Sequence, residues 1–140
     1  MASIFTKIIQ GELPGQFVWK DDLAVAFLSI APLKPGHTLV VPRAEVDHWI
    51  DLDPASMQHL AGVAQTVGKA IQSGFSPVKV GTTILGLEVP HVHIHVVPIW
   101  TPFDLDFANA DSNASPEAIA EAAATIRGEL KKLGRSEVSE

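Results

Sequence analysis

The most constraining stretch of this chain is residues 91–98, which read His-Val-His-Ile-His-Val-Val-Pro. β-branched residues between the histidines favour an extended strand, in which successive side chains point to opposite faces. The histidines would then share one face at intervals of about 7 Å, with the apolar residues on the other. A helix does not place residues two apart on one face. The pattern therefore predicts a row of imidazoles lying over an apolar core.

Two kinds of chemistry need such a row. A pair of histidines on one strand with a third histidine nearby can bind zinc and leave one coordination position open. Alternatively, an imidazole can attack phosphorus when one ring nitrogen is unprotonated and the other is held by an acceptor. A neighbouring histidine then handles the proton of the leaving group. His48 and His59 lie outside the row, and we interpret them as surface or structural residues.

The composition limits the class of protein. The 140 residues predict a single domain, and 46% hydrophobic with 19% charged residues predicts a folded core. The formal net charge of -6 argues against a nucleic-acid-binding surface. The chain has no cysteine, which excludes thiolate zinc sites and fits a cytoplasmic protein. Because no apolar run approaches 18 residues, we expect no membrane span.

Local patterns predict an α+β domain, an antiparallel sheet of about five strands with two main helices. A short N-terminal helix over residues 4–9 precedes predicted strands at 17–19, 24–28, 37–42, 78–85 and 91–97. The main helices are predicted to begin at Asp53-Pro54 and Ser115-Pro116, and to end at Ser73-Gly74 and Gly134. We interpret residues 1–140 as one domain, with a loop-rich segment at 101–116 and a frayed tail at 136–140.

Four segments together resemble one known family. The run at 91–97 resembles the signature of the histidine triad (HIT) family, in which three histidines alternate with hydrophobic residues. Residues 3–14, Ser-Ile-Phe-Thr-Lys-Ile-Ile-Gln-Gly-Glu-Leu-Pro, resemble the N-terminal segment of its Hint branch. Val-Ala-Phe at 25–27 and Pro-Gly-His-Thr-Leu-Val-Val-Pro at 35–42 resemble two further blocks. Gly-Leu-Glu-Val-Pro-His at 86–91 resembles an actinobacterial subgroup.

The resemblance implies a nucleotide hydrolase or transferase that acts at the α-phosphate through a covalent nucleotidyl-histidine. Nucleoside phosphoramidates or related nucleotide conjugates would be the substrates. His93 would be the nucleophile, and His95 would donate a hydrogen bond to the phosphate or the leaving group. His91 and His37 would orient the other two. No metal or other cofactor is expected, because the motif contains no carboxylate.

The resemblance also implies where the nucleotide binds. The substrate-binding positions would be Leu13, Phe27, Ser29, Ile30, Glu88 and Val89. Ser29 stands where the branch has an aspartate for the ribose hydroxyls, so we expect weak ribose recognition. Glu88 replaces a serine near the phosphate, and Val80 replaces an asparagine that helps to hold the phosphate. A carboxylate about 4 Å from a phosphate would be repelled by about 4 kcal/mol, so Glu88 should point away.

Two other functions remain open at this point. A nucleotide-binding sensor with little turnover would keep the histidines and tolerate an altered pocket. A histidine-ligated metal hydrolase would use the imidazole row as ligands. The resemblance further implies a homodimer, and small Ala61, Ala64 and Gly68 on the long helix would let a partner approach closely.

Overall fold

The computed structural model describes residues 2–138 and has the predicted α+β architecture. One five-stranded antiparallel sheet has the strand order β1-β2-β3-β5-β4. Its strands are β1 Phe17–Lys20, β2 Ala24–Leu28, β3 Thr38–Pro42, β4 Lys79–Thr83 and β5 Ile94–Ile99. The helices are α1 Ile4–Ile9, α2 Pro54–Phe75 and α3 Pro116–Lys132. Short 3₁₀ turns occur at Trp49–Asp51, Pro102–Leu105 and Phe107–Asn109.

The sheet carries different layers on its two faces. The larger core lies under α2 and α3 and includes alternate strand residues such as Ala26, Val40 and Val96. A smaller cluster on the other face contains Phe5, Val25, Phe27, Leu39 and Val41, with the short helix α1 packed on it. Among residues 2–138, no helix is long and apolar enough to cross a membrane.

The histidine strand begins later than predicted. β5 starts at Ile94, so only His95 of the three motif histidines lies within a strand. The reason is that Val92 N–H donates to the carbonyl of Val46, at 2.8 Å, instead of to a neighbouring strand. Residues 91–96 are nevertheless all buried, and Val92, Ile94 and Val96 join the larger core. The predicted alternation of faces is therefore present without a continuous strand.

The helix α2 is longer than predicted, and β4 is shorter. α2 continues through Gly74 to Phe75 and ends at Ser76, which has left-handed dihedrals of φ 51° and ψ 47°. Gly74 is needed inside the helix because a Cβ there would lie 2.8 Å from the side chain of Thr125 in α3. The glycine that predicted a helix end instead allows two helices to pack closely.

Two of the three small residues on α2 pack against other parts of this chain. Ala64 is buried in the larger core, and a Cβ on Gly68 would lie 3.6 Å from the side chain of Val80 in β4. Ala61 alone of the three is exposed. Two of the three residues used to predict a dimer surface therefore pack inside this chain.

Within the segment predicted to be a frayed tail, Glu137 and Val138 make backbone contacts with β1. Lys20 N–H donates to the carbonyl of Glu137 at 2.8 Å, and Val138 forms an isolated antiparallel bridge with Trp19. The guanidinium of Arg135 lies 4.9 Å from the Trp19 ring centre. These contacts hold the C-terminal segment along β1, and residues 139–140 lie outside the described residues.

The carboxylate of Asp21 connects the β1–β2 turn to α2. One oxygen accepts from the backbone N–H groups of Leu23 and Ala24, at 2.8 and 2.7 Å. The other accepts from Trp19 Nε1 and pairs with His59 Nε2, both at 2.8 Å. His59 is therefore a structural residue, as expected from the sequence.

We predict that Asp21→Ala lowers the free energy of unfolding by about 2–3 kcal/mol, because it leaves several donors without their charged acceptor. Urea unfolding followed by circular dichroism would measure the loss. Asp22→Ala, a matched change at the exposed neighbour, should alter stability by no more than about 0.5 kcal/mol. Equal losses in the two variants would contradict the role given to Asp21.

Candidate active site

Four histidines meet on the sheet face that carries α1. His37 immediately precedes β3, and the pairing of Leu39 with His95 brings the histidines of both segments together. His37, His91, His93 and His95 are 1%, 0%, 6% and 7% exposed. The rings of His93 and His95 are 4.8 Å apart between centres, and those of His37 and His95 are 5.1 Å apart. The sequence-predicted catalytic residues thus form one buried cluster.

A backbone N–H fixes the protonation of His37 and His95. Leu33 N–H can only donate, so His37 Nδ1, 2.9 Å away, accepts. The proton of neutral His37 is therefore on Nε2, which donates to His95 Nδ1 at 2.9 Å. His95 in turn carries its proton on Nε2. This nitrogen is a donor directed away from His37.

Backbone carbonyls fix His91 and His93 in the same way. His93 Nδ1 lies 2.7 Å from the carbonyl oxygen of His91 and must donate to it, so His93 Nε2 holds a lone pair. His91 Nε2 donates to the carbonyl of Pro42 at 2.8 Å. His91 Nδ1 then accepts from the Ser3 hydroxyl at 2.7 Å.

Burial keeps all four imidazoles neutral near pH 7. Burial, reinforced by repulsion from His93, lowers the pKa of His37 to about 4. Burial, with repulsion from His37 and His93, lowers the pKa of His95 to about 3. The pKa values of His91 and His93 are also lowered, because burial outweighs the hydrogen bonds to Pro42 and His91 that favour protonation. The tautomers derived above are therefore those of uncharged rings.

A short polar network connects the N-terminal helix to the cluster. Ser3 is the N-cap of α1, and its hydroxyl accepts from Thr6 N–H while donating to His91. Glu45 accepts from Ser3 N–H at 2.7 Å and from the Thr6 hydroxyl at 2.6 Å. These hydrogen bonds lower the pKa of the exposed Glu45 carboxyl. The network holds α1 against His91.

Two phenylalanines contact the histidines by their rings. Phe5 of α1 lies 4.8 Å from His93 and 5.9 Å from His91 between ring centres. Phe107, from the segment that follows β5, lies 4.8 Å from His95 and 6.3 Å from His37. The aromatic rings contribute to the low exposure of the cluster.

The predicted substrate-binding residues differ in how much of their surface is exposed. Phe27 is buried beside Phe5, with ring centres 5.4 Å apart, and Val89 packs on the same small cluster. Leu13 and Ile30 are 38% and 79% exposed, so both offer apolar surface to solvent.

Ser29 is joined to the backbone of His37, and Glu88 lies in the segment between β4 and β5. Ser29 N–H donates to the backbone carbonyl of His37 at 3.0 Å, and the Ser29 hydroxyl accepts from Ala31 N–H at 3.2 Å. The Ser29 side chain lines a cavity of about 400 Å³ between the β2–β3 loop and the start of α3, which the four histidines do not line. Glu88 is exposed.

The resemblance aligns Val80 with an asparagine that helps to hold the phosphate, but the register of β4 places Val80 away from the histidines. Val80 pairs with Pro98 and packs towards Gly68 of α2, on the face opposite His95. Thr83, which sequence reasoning missed, pairs directly with His95 and shares its face. The sequence could have indicated Thr83 only if the antiparallel pairing of β4 with the histidine strand had been counted back from His95. Ser3 and Phe107 were also missed, and no local pattern indicates their contacts with the histidines.

The described residues contain no group of three or more His, Cys, Asp or Glu side chains arranged to hold a metal ion. The hydrogen bonds explain this for the histidine cluster. They occupy both ring nitrogens of His37 and of His91, and one each of His93 and His95. Only two imidazole nitrogens remain to face a ligand. One is a lone pair and the other is an N–H donor.

Comparison with known proteins gives the same family at the level of sequence. The family model for the HIT domain matches residues 10–100. An uncharacterised HIT-like protein of Methanocaldococcus jannaschii is 37% identical over 99 residues, which is 68% of this chain and 77% of that protein. An adenosine 5'-monophosphoramidase of Schizosaccharomyces pombe is 32% identical over 99 residues, covering 70% of this chain and 74% of that enzyme.

Solved structures agree with the fold. A zinc-bound histidine triad family protein from Mycobacterium smegmatis superposes with a TM-score of 0.82 at 26% identity, covering 96% of each chain. The similarity therefore extends beyond the sequence-matched region into the C-terminal helix. Together with the alternating histidines and their buried cluster, these matches show that the chain belongs to the HIT domain family.

Proposed function

We propose that this protein is a nucleotide hydrolase or transferase that acts at the α-phosphate through a covalent nucleotidyl-histidine. The observation that carries the proposal is the pair of opposite tautomers on neighbouring rings. His93 offers a lone pair at Nε2, and His95 offers an N–H at Nε2, with ring centres 4.8 Å apart. A nucleophile beside a hydrogen-bond donor suits attack on a phosphoryl group.

In the first step, His93 Nε2 attacks the α-phosphorus and a P–N bond forms. The bond to the leaving group breaks, and the leaving amine takes a proton from water. His95 Nε2–H donates a hydrogen bond to the phosphate or to the departing group and keeps its proton. The positive charge that develops on His93 is stabilised by the His91 carbonyl, which accepts from Nδ1–H.

In the second step, water attacks phosphorus and the P–Nε2 bond breaks, so that His93 regains its lone pair. The proton of the attacking water neutralises the hydroxide formed in the first step. The family relative that is a phosphoramidase supports nucleoside phosphoramidates as the substrate class. A sensor with little turnover would bind the same nucleotide and stop before either step.

We infer that the nucleotide lies along the positions implied by the family resemblance. Leu13, Ile30 and the half-buried Val89 supply apolar surface for the base and sugar, and Phe27, which is buried, supports them from within the small cluster. Ser29 offers only a neutral hydroxyl to the ribose, so we expect weak selection against deoxyribose. A homodimer remains a prediction from the resemblance alone, because the small residues of α2 face mainly their own chain.

We predict that His93→Ala reduces kcat on an adenosine phosphoramidate by at least about a thousandfold, because the nucleophile is removed. Nucleotide binding should persist. Acid-labile, phosphorus-linked label should be trapped on the wild type by rapid quenching and be absent from the variant. His48→Ala, an exposed histidine, is the matched control and should leave turnover unchanged. Label trapped on His91 or His95 would overturn the assignment.

Removal of metal should leave activity unchanged, because only two imidazole nitrogens of the cluster remain free of protein hydrogen bonds. Exhaustive dialysis against a chelator, followed by the phosphoramidate assay, tests this. The expected rate equals that of the untreated protein. Loss of activity that added zinc restores would favour the metal-hydrolase alternative instead.

The pH dependence should differ between activity and stability. Burial lowers the pKa values of His37 and His95 to about 4 and about 3, so protonation of these two rings should not reduce kcat/KM as pH falls from about 7 to about 5.5. The unfolded chain binds protons at the ordinary histidine pKa of 6.5, so the free energy of unfolding should fall over the same interval. Urea unfolding at both pH values measures it. Stability that rises on acidification would contradict the burial of neutral rings.

A further inference from the structure

The segment between β5 and α3 folds back onto the loop that precedes His37. At its start, Asp104 accepts from the N–H groups of Trp100 and Thr101, at 2.7 and 3.0 Å. The same carboxylate lies 3.4 Å from Lys34 Nζ in the β2–β3 loop. At its end, Asp111 N–H donates to the carbonyl of Pro32 at 3.0 Å. The segment is thus attached to one loop at two points.

Further contacts fix the segment between these points. Asn109 Nδ2 donates to the carbonyl of Phe103 at 2.9 Å, which joins its two 3₁₀ turns. Asp106 accepts from Ala108 N–H at 2.9 Å and so caps the second turn. Leu105 packs on β4, where a Cβ at Gly81 would lie 2.9 Å from it. Phe107 is therefore carried by a segment bonded to itself and to the sheet.

Phe107 occupies space beside one particular histidine. Its ring meets the His95 ring at 73° with centres 4.8 Å apart, and lies farther from His37 at 6.3 Å. His37 occupies His95 Nδ1, so Nε2–H is the only polar atom of the His95 ring that can meet a substrate. His95 is only 7% exposed with the Phe107 ring in place.

We propose that Phe107 is a specificity-determining residue that selects small leaving groups. The inference rests on the proposed function, in which His95 Nε2–H donates to the phosphate or the departing group. A small amine can leave beside the His95 ring, whereas a bulky aromatic amine must displace the Phe107 ring from it. Because Phe107 is held from both ends of its segment, displacement carries a cost that only the larger substrate bears.

The experiment compares kcat/KM for two substrates of one nucleoside. Adenosine 5'-phosphoramidate releases ammonia, and an AMP amide of tryptamine releases a bulky aromatic amine. Wild type, Phe107→Ala, Phe107→Leu and Phe103→Ala are assayed on both. Phe103 is the matched control, because it is an aromatic residue of the same segment and is 74% exposed. Phe107→Leu retains apolar volume and serves if the alanine variant does not fold.

Phe107→Ala should raise kcat/KM for the bulky substrate relative to the small one by about tenfold, and Phe107→Leu by less. Phe103→Ala should leave the ratio unchanged. A ratio that stays constant in both Phe107 variants, or that rises equally in Phe103→Ala, overturns the inference while leaving the proposed function intact. If wild type releases AMP from neither substrate and traps no adduct, the proposed function itself fails and this inference with it.

Discussion

The hydrogen bond from Leu33 N–H to His37 Nδ1 determines how two rings of the histidine cluster, those of His37 and His95, are protonated. A backbone N–H has no acceptor form, so the direction of this bond cannot reverse. It places the proton of His37 on Nε2 and thereby the proton of His95 on the outward nitrogen. The carbonyl of His91 acts independently on His93. It accepts from Nδ1–H, so His93 Nε2 holds a lone pair where His95 Nε2 carries a proton. Chemically identical side chains therefore present the same nitrogen, Nε2, in different protonation states.

Packing four polar rings into an almost closed cluster requires a partner for each inward nitrogen. Buried polar atoms without partners are costly, and in residues 2–138 no buried side-chain nitrogen or oxygen lacks one. Phe5 and Phe107 cover the remaining ring surfaces by edge contacts. The low dielectric that makes the rings neutral would also strengthen the hydrogen bond from His95 Nε2–H to a phosphate in the proposed reaction. In that proposal, the neutrality of the rings and the strength of this donor have one physical origin, which is burial.

The sequence predicted the features that depend on local periodicity. Alternation at residues 91–96 correctly separated imidazoles from core residues, and caps at Asp53 and Ser115 correctly began α2 and α3. Predictions failed where contacts with a distant segment of the chain determine the local structure. Gly74 was predicted to end α2, because the sequence does not show how closely Thr125 of α3 approaches it. Strand register, which the sequence also does not show, turns Val80 away from the histidines. Ser3 lies 88 residues from His91, and Phe107, although only 12 residues after His95, reaches it through an irregular segment with no periodic pattern.

Three of the groups that fix the tautomers are main-chain atoms: the N–H of Leu33 and the carbonyls of Pro42 and His91. Side-chain substitution cannot delete a carbonyl, and only proline lacks the N–H. The protonation pattern therefore depends on the backbone conformation. It can be retained when most neighbouring side chains are substituted. At position 33 any residue that fits the packing keeps the N–H except proline, which would remove the donor that fixes the tautomers of His37 and His95.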